Sequence, residues 1–541
     1  MPPRTPSISC VARTVAQASA CESNFNGLSD QVRKRLVKRS QVRHNQIVPE
    51  TKVVAKLDHR ACERARLARD ARFDGRFFIG VTSTRIYCRP ICPAPSPKPQ
   101  NIRYYASAAA AAEAGFRPCL RCRPEASPGT PAWLGASSTV SRALKLIGES
   151  ALDGGGVDDL ADRLGIGSRH LRRLFLRYLG ATPVAVAQTR RVHFAKKLID
   201  ETDLPLTRIA MAAGFGSIRR FNATFQNLYE RAPSELRKTR GDASRIGTNS
   251  QNGHASGNYT FRIAYRPPYD WKSILDFLAA RAIPGVETVT AEEYRRTISL
   301  DGNAGTIAVR PSLRKHTGNY LELQIRFPDP ASLFRIVERV RGIFDVGADP
   351  AAISGRLKLD TRLKPVLRAH PGLRVPGCWD GFEMAVRAIL GQQVSVKGAS
   401  TMAGRVASEF GTVPAGGRAC DAKQADGVLF PCAKNLAGAD LTRIGVTRQR
   451  AASIRDLAQA VVSGEIRFDG AIHPEEFERR ITRIKGIGAW TAQYIAMRLG
   501  EPDAFPAADL YLRRAGSDSE LWRPWRAYAA MYIWKGNVGS Q

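Results

Sequence analysis

Apolar residues recur at helical spacing in two similar units near the middle of the chain. In "VDDLADRLGIGSRHLRRLFLRYLGATP", Leu160, Ala161, Leu164, Leu171 and Phe175 fit one face. In "LTRIAMAAGFGSIRRFNATFQNLYERAPSELRK", Ile209, Ala210, Ala213, Phe221 and Phe225 repeat it. Each unit reads as helix, glycine-containing turn, helix. Gly165 and Gly214 stand where a positive φ is wanted, and Ser168 and Ser217 are placed to cap the second helix of each unit. The stretch "VAQTRRVHFAKKLIDE" between the units reads as a connecting helix. Further on the period changes. "YTFRIAYRPPYD" and "YLELQIRF" alternate as strands do, and from about residue 330 the pattern turns mainly helical. "PEASPGTP" at 124–131 and "GDASRIGTNSQNGHASGN" at 241–258 read as linkers.

Length and charge narrow the picture. At roughly 100–200 residues per domain, a 541-residue chain holds three or four domains. An apolar fraction of 43% allows sizeable cores. The 82 Lys and Arg outnumber 49 Asp and Glu, a formal net charge of +33. That excess favours a polyanion, with nucleic acid first and an anionic membrane surface as the alternative. No apolar run reaches about 18 residues, so no spanning helix is expected. The start, "MPPRTPSISC", lacks the charged head and apolar core of an export signal. A cytoplasmic, nucleoid-associated bacterial protein is expected. Residues 1–57, with the run "VRKRLVKRSQVR", are expected to form a disordered basic arm, either inert or gripping phosphates.

Cysteine usage changes the picture more. Four of the ten cysteines, Cys88, Cys92, Cys119 and Cys122, follow the spacing C-x3-C-x26-C-x2-C. Four thiolates suit tetrahedral zinc, which would also staple a segment too small to fold securely alone. On spacing alone the sulfurs could be purely structural. The run "RDARFDGRFFIGVTSTRIYCRPICP … GFRPCLRCRPE" closely resembles the N-terminal zinc domain of the Ada-type methylation-response proteins. That resemblance implies repair of methyl phosphotriesters in DNA by a single irreversible transfer. It puts the methyl acceptor at Cys88, with Cys92, Cys119 and Cys122 as co-ligands of one Zn2+. It puts DNA-backbone contacts at Thr84 and Arg117. Two further arginines of the family are Pro93 and Pro95 here, a departure that bears on triester binding. Methylation removes one negative charge from the site, which favours binding to phosphates.

The doubled helical unit resembles the AraC/XylS-type DNA-binding domain over about residues 137–240. Arg169, Arg172 and Arg173, with His170, are exposed on its first recognition helix. Ser217, Arg219, Arg220, Asn222 and Gln226 are exposed on the second. Arg suits guanine edges and Asn or Gln adenine edges, although many arginines touch only phosphates. His170 alone is no metal-ligand signal.

The C-terminal half carries "ITRIKGIGAWTAQYIAMRLGEPDAFPAADLYLRRA". Gly486 and Gly488 lie between two helical patterns, a turn that would present backbone amides to a phosphate. Together with "PPYDWKSILDFLAARAIPGVETV", "RVPGCWDGFEMAVRAILGQQVSVKGASTMAGRVA" and "WRPWRAYAAMYIW", this stretch resembles the helix–hairpin–helix DNA glycosylases, most closely the AlkA-type 3-methyladenine DNA glycosylase II group. The resemblance runs from about Tyr259 to Trp534. It implies Asp509 as catalytic carboxylate, with Asp503 the nearby alternative. It implies a pocket of Phe277, Trp490, Tyr494 and Trp534, whose π-faces attract a cationic N-alkylated purine. It puts a wedge at Gln393, where some relatives carry Leu, and Leu510 where some have an aromatic. Bifunctional relatives carry Lys two residues after the second hairpin glycine. Trp490 stands there, so simple base release is expected. Only "LYLRRAGSDSEL" separates Asp509 from Trp522, shorter than in relatives, which predicts either a looser pocket or a displaced Trp534, with reduced activity. The resemblance admits a monovalent cation at the hairpin.

The expected fold class is therefore multidomain and mainly α. A small α+β zinc domain (58–125) precedes an all-α double helix–turn–helix (133–240) and the linker 241–258. An α+β N-terminal glycosylase subdomain (259–345) and an all-α helix–hairpin–helix glycosylase domain (346–541) follow. Double-stranded DNA is the expected partner, as damaged DNA and as promoter sites. RNA polymerase is admitted as a second, and a monomer is expected. The chain lacks a "PCHR"-type motif, so O6-methylguanine transfer is not expected. The rival reading is a transcription regulator with a structural zinc site and an inactive glycosylase-like half.

Overall fold

The computed structural model describes residues 57–128, 138–238, 257–312, 319–414, 427–514 and 519–537. The arm expected over 1–57, save Leu57, and the linker expected over 241–258, save its last two residues, lie outside them. So do residues 515–518 of the segment after Asp509.

The cysteine-bearing domain is built from α1 (His59–Leu67), β1 (Phe78–Val81), β2 (Ile86–Cys88), β3 (Ile102–Tyr105), α2 (Ala108–Glu113) and β4 (Arg117–Pro118). The strands order β3–β1–β2–β4, antiparallel except for β2 with β4. All four residues of β1 are buried, because each face of the strand meets its own core. Phe78 packs with Tyr87, Ala111 and Phe116 on one side. Ile79 and Val81 pack with Cys62, Phe77 and Ile102 on the other. The side chains of Asp58 and Ser107 accept the free amides that open α1 and α2.

The doubled unit comprises α3 (Ser138–Gly148), α4 (Val157–Arg163), α5 (Ser168–Leu179), α6 (Pro183–Glu201), α7 (Leu206–Ala212), α8 (Ile218–Tyr229) and α9 (Pro233–Lys238). The apolar positions that set the helical period are buried in both halves. Gly165 and Gly214 take φ of 71° and 78°, which a turn between helices needs and a side chain resists. Ser217 caps α8, accepting from Arg220 N at 3.2 Å. Ser168 does not cap α5. Gly167 is the cap, without a side-chain hydrogen bond, and Ser168 is already helical. The first unit thus starts its recognition helix one residue earlier than the repeat implied.

A five-stranded antiparallel sheet follows, ordered β5 (Asn258–Ala264), β9 (Tyr320–Arg326), β8 (Asn303–Pro311), β7 (Tyr294–Leu300), β6 (Glu287–Val289). Helices α10 (Trp271–Ala279) and α11 (Leu333–Ile343) pack their apolar residues into its core. The remaining chain is helical: α12 (Pro350–Leu357), α13 (Lys364–Ala369), α14 (Gly381–Leu390), α15 (Val396–Phe410), α16 (Ala433–Leu436), α17 (Arg448–Val462), α18 (Pro474–Ile481), α19 (Ala489–Arg498), α20 (Leu510–Arg514) and α21 (Arg526–Asn537). Multidomain and mainly helical, this is the expected class.

The domains do not hang apart on linkers. One continuous core runs from Val192, Phe194 and Phe221 of the doubled unit into Phe261, Ile325 and Val337 of the sheet region. Phe194 bridges them, its ring 5.0 Å from Phe334 and 6.4 Å from Phe261. Among the described residues, no helix is long and apolar enough to cross a membrane.

Candidate functional site

The four cysteines converge although two come from the end of β2 and the turn after it, and two from the loop after β4. Their sulfurs all lie within 4.8 Å of one another. A tetrahedral zinc site with Zn–S near 2.3 Å needs sulfurs about 3.8 Å apart, so small adjustments complete the shell. The donor set also fits chemically. Hydrogen bonding among the crowded sulfurs pushes the Cys88 and Cys122 thiols up while it draws Cys92 and Cys119 down, so the four do not all ionise together unless a cation is shared among them. Cys119 and Cys122 are buried, whereas Cys88 and Cys92 are partly exposed. Arg89 locks the far side of the site. Its backbone N–H donates to Cys122 Sγ at 3.3 Å, Nη1 donates to Cys122 O at 3.0 Å, and its guanidinium pairs with buried Asp74.

Of the expected phosphate contacts, Thr84 is exposed in the turn between β1 and β2. Arg117 sits in β4, its Nε 3.7 Å from Glu230 at the end of α8. Arg169, Arg172 and Arg173 are exposed on α5, where Arg173 shares a 2.8 Å hydrogen bond with His170. Arg219, Arg220, Asn222 and Gln226 are exposed along α8.

A second site lies about 400 residues further along the chain. Asp509 precedes α20 and caps it: Oδ1 accepts from Tyr511 N at 3.0 Å and Leu512 N at 3.2 Å. The same oxygen accepts from the Trp534 indole Nε1 at 3.1 Å, on α21. Trp534 is therefore not displaced by the short segment after Asp509. Trp522 closes that segment from the other end, buried, its Nε1 donating to Asp360 at 3.0 Å. Asp503, the alternative carboxylate, is committed to Arg526 at 2.9 and 3.0 Å and to Arg523.

Beside Asp509 the Trp490 and Tyr494 rings stack at 5.5 Å and 5°, and Trp534 stands 6.4 Å from Tyr494. They meet because Trp490 and Tyr494 are one helical turn apart on α19. Phe277 differs from the other three. Arg281 lies 3.8 Å over its ring and Arg498 5.0 Å, so guanidinium groups of the chain itself already engage this face. Arg498 is buried, donating to Tyr494 Oη at 3.2 Å and to the carbonyls of Pro376 and Gly377. Burial alone would raise the Tyr494 phenol, but Arg498 and then Arg281 outweigh it and draw it down to about 8. The spacing signal was present: Phe277–Arg281 and Tyr494–Arg498 are both i,i+4 aromatic–cation pairs.

The hairpin before α19 is exposed from Lys485 to Gly486 and from Gly488 to Ala489. Gly486 takes φ of +93°, and a Cβ there would meet Ser453 Oγ at 2.4 Å. Gly488 opens α19 in open space, leaving its first amides approachable. Gln393 lies in the loop between α14 and α15, exposed and at φ 54°. Its neighbour Gln392 ties that loop to the hairpin, donating to Gly486 O at 2.8 Å and Thr491 Oγ1 at 3.1 Å. The single-residue signals in the sequence did not mark this anchor.

Comparison with known proteins follows the same division. Residues 61–125 match the metal binding domain of Ada, 160–239 a helix-turn-helix domain, 260–380 the AlkA N-terminal domain, and 386–532 the HhH-GPD superfamily of base excision DNA repair proteins. A Mycobacterium tuberculosis protein described as "Probable bifunctional transcriptional activator/DNA repair enzyme AlkA" is 38% identical over 492 residues, spanning 88% of this chain and 96% of the relative. DNA-3-methyladenine glycosylase 2 of Escherichia coli K12 is 33% identical over 51% of this chain and 96% of its own length. The bifunctional transcriptional activator/DNA repair enzyme Ada of E. coli K12 is 36% identical over 28% of this chain and 40% of its own length. With its four matched domains in this order and one relative spanned almost end to end, the chain belongs to the family of bifunctional AlkA transcriptional activator/DNA repair proteins.

Proposed function

We propose that this chain repairs alkylated DNA at two sites and reports the damage through its helix–turn–helix pair. The C-terminal site hydrolyses the N-glycosidic bond of alkylated purines such as 3-methyladenine. One observation carries this reading. Among the described residues, the hydrogen bonds to the Asp509 carboxylate from Tyr511, Leu512 and Trp534 all reach Oδ1, which leaves Oδ2 available to a substrate beside the Trp490–Tyr494 stack. As the base departs, positive charge grows on the sugar, and a fixed carboxylate stabilises it without reorganising. Water then takes the place of the base, leaving an abasic site. Trp490 holds the position of the lyase lysine in bifunctional relatives and has no amine, so no strand cleavage follows. The exposed hairpin grips a phosphate while Gln393 fills the gap left by the flipped nucleotide. A monovalent cation at the hairpin belongs to the same reading.

The N-terminal site accepts a methyl group. Bound Zn2+ would be held by Cys88, Cys92, Cys119 and Cys122 and would keep their sulfurs as thiolates at neutral pH. Cys88 is the acceptor. It is partly exposed, whereas Cys122 is buried and its sulfur already takes the Arg89 amide. The Cys88 sulfur forms a bond to the methyl carbon, the methyl–oxygen bond of the phosphotriester breaks, and a phosphodiester anion leaves. The resulting loss of negative charge strengthens binding to DNA and to promoter sites, where RNA polymerase would be recruited. The protein acts as a monomer on duplex DNA.

Incubation with N-methylated duplex tests the first half: free 3-methyladenine should be released, and Asp509→Asn should abolish release. Full release by that variant would remove Asp509 from the mechanism. Intact mass after exposure to DNA carrying methyl phosphotriesters tests the second half. A gain of one methyl, lost in Cys88→Ala, is expected; a gain that survives the substitution would sink Cys88 as acceptor.

A further inference from the structure

The two recognition helices end differently. After α5 the left-handed position is Gly180, at φ +66°, and a Cβ there would meet the Ala110 side chain of the metal domain at 3.2 Å. After α8 the corresponding position holds Glu230, a residue with a full side chain at φ 56°. That backbone disfavours L side chains, so glycine would relax the turn here. Its carboxylate lies 3.7 Å from Arg117 Nε, across the junction of α8 and β4.

The junction belongs to a built dock beneath the metal site. Tyr87, next to Cys88 and fully buried, shares a 2.9 Å hydrogen bond with His193 on α6. Arg123, next to Cys122, pairs with Asp200 at 2.7 Å, and Glu125 lies 3.7 Å from Lys196. Residues 193, 196 and 200 fall on one face of α6. Arg117 is anchored in β4 by its amide to Arg85 O at 2.8 Å, and its side chain faces the largely exposed Glu230 carboxylate.

We propose that Glu230 is an internal competitor for DNA, occupying the Arg117 guanidinium that would otherwise bind a backbone phosphate. This rests on the reading of Arg117 as a phosphate contact. A carboxylate and a phosphodiester offer the same paired oxygens to a guanidinium, so a phosphate arriving at Arg117 competes with the Glu230 carboxylate for it. The clamp lowers affinity for undamaged DNA.

The test uses the full chain and an undamaged duplex, with affinity measured against salt for wild type, Glu230→Gly, Arg117→Ala and the double variant. Arg117→Ala should weaken binding. Glu230→Gly should tighten it about twofold to fivefold, the range of an exposed ion pair, and the gain should vanish in the Arg117→Ala background. Glu230→Gln, which keeps the left-handed backbone, should tighten binding as well and so separates charge from strain. Unchanged affinity in both Glu230 variants, or an equal gain with and without Arg117, overturns the clamp. If Arg117→Ala leaves binding unchanged, the phosphate reading of Arg117 fails and the clamp with it.

Discussion

Asp509 and Trp534 are joined by one hydrogen bond between residues 25 positions apart, and that bond aims the carboxylate. Hydrogen bonds to charged groups contribute about 1.5–3 kcal/mol. Trp534→Phe should therefore cut the rate of base release roughly tenfold to a hundredfold while leaving the fold intact by circular dichroism. Tyr494 offers a spectroscopic check on the pocket. Its phenol titrates at about 8, against about 10 in an unfolded chain. The folded state thus binds fewer protons between those values, so the contribution to stability is complete above about 10 and is lost as pH falls through about 8. One tyrosine should ionise near 8 by ultraviolet difference absorption, and the signal should disappear in Tyr494→Phe and move back up in Arg498→Met.

At the scale of elements, the hairpin and the metal knuckle are both short loops that backbone geometry constrains. Gly486→Ala would force a Cβ onto Ser453, whose hydroxyl is already spent on Lys485 O at 2.6 Å, and would do so at a positive φ. Duplex affinity should fall, with a loss of stability of about 1–2 kcal/mol, read by anisotropy and by thermal melting. The knuckle depends on its metal. Chelation should release zinc, expose the four thiols to a thiol reagent, and lower the melting temperature, because β2 and β4 are too short to hold without the cross-link.

Over the whole molecule, regulator and glycosylase share one apolar core. Phe194 belongs by sequence to the DNA-reading half but packs against Phe261 and Phe334 of the other. Phe194→Ala should cost about 3–5 kcal/mol and lower the temperature at which base release is lost, although no pocket residue changes. Polar contacts reinforce the join. Glu149 of α3's C-terminal turn takes Arg335 at 3.2 Å and Arg339 at 3.3 Å from α11, and Arg142 Nη1 donates to Ala471 O at 2.7 Å. The doubled unit is thus a structural neighbour of the glycosylase as well as a separate reader of DNA.

What could be read from the chain by itself was whatever repeats or clusters locally. The C-x3-C and C-x2-C pairs, the doubled glycine turns, the hairpin before Trp490 and the alternation at Tyr320–Arg326 each lie within a few residues, where helical or strand period fixes which side chains share a face. Ser168 shows the limit, since a one-residue shift in helix start moved the cap to Gly167. Only the tertiary structure decided who stands opposite whom. It brought Trp534 to Asp509, Arg498 onto Phe277, His193 to Tyr87, and Phe194 into the sheet's core. Those partners come from distant segments, and their meeting depends on how packed elements cross, which no local period encodes.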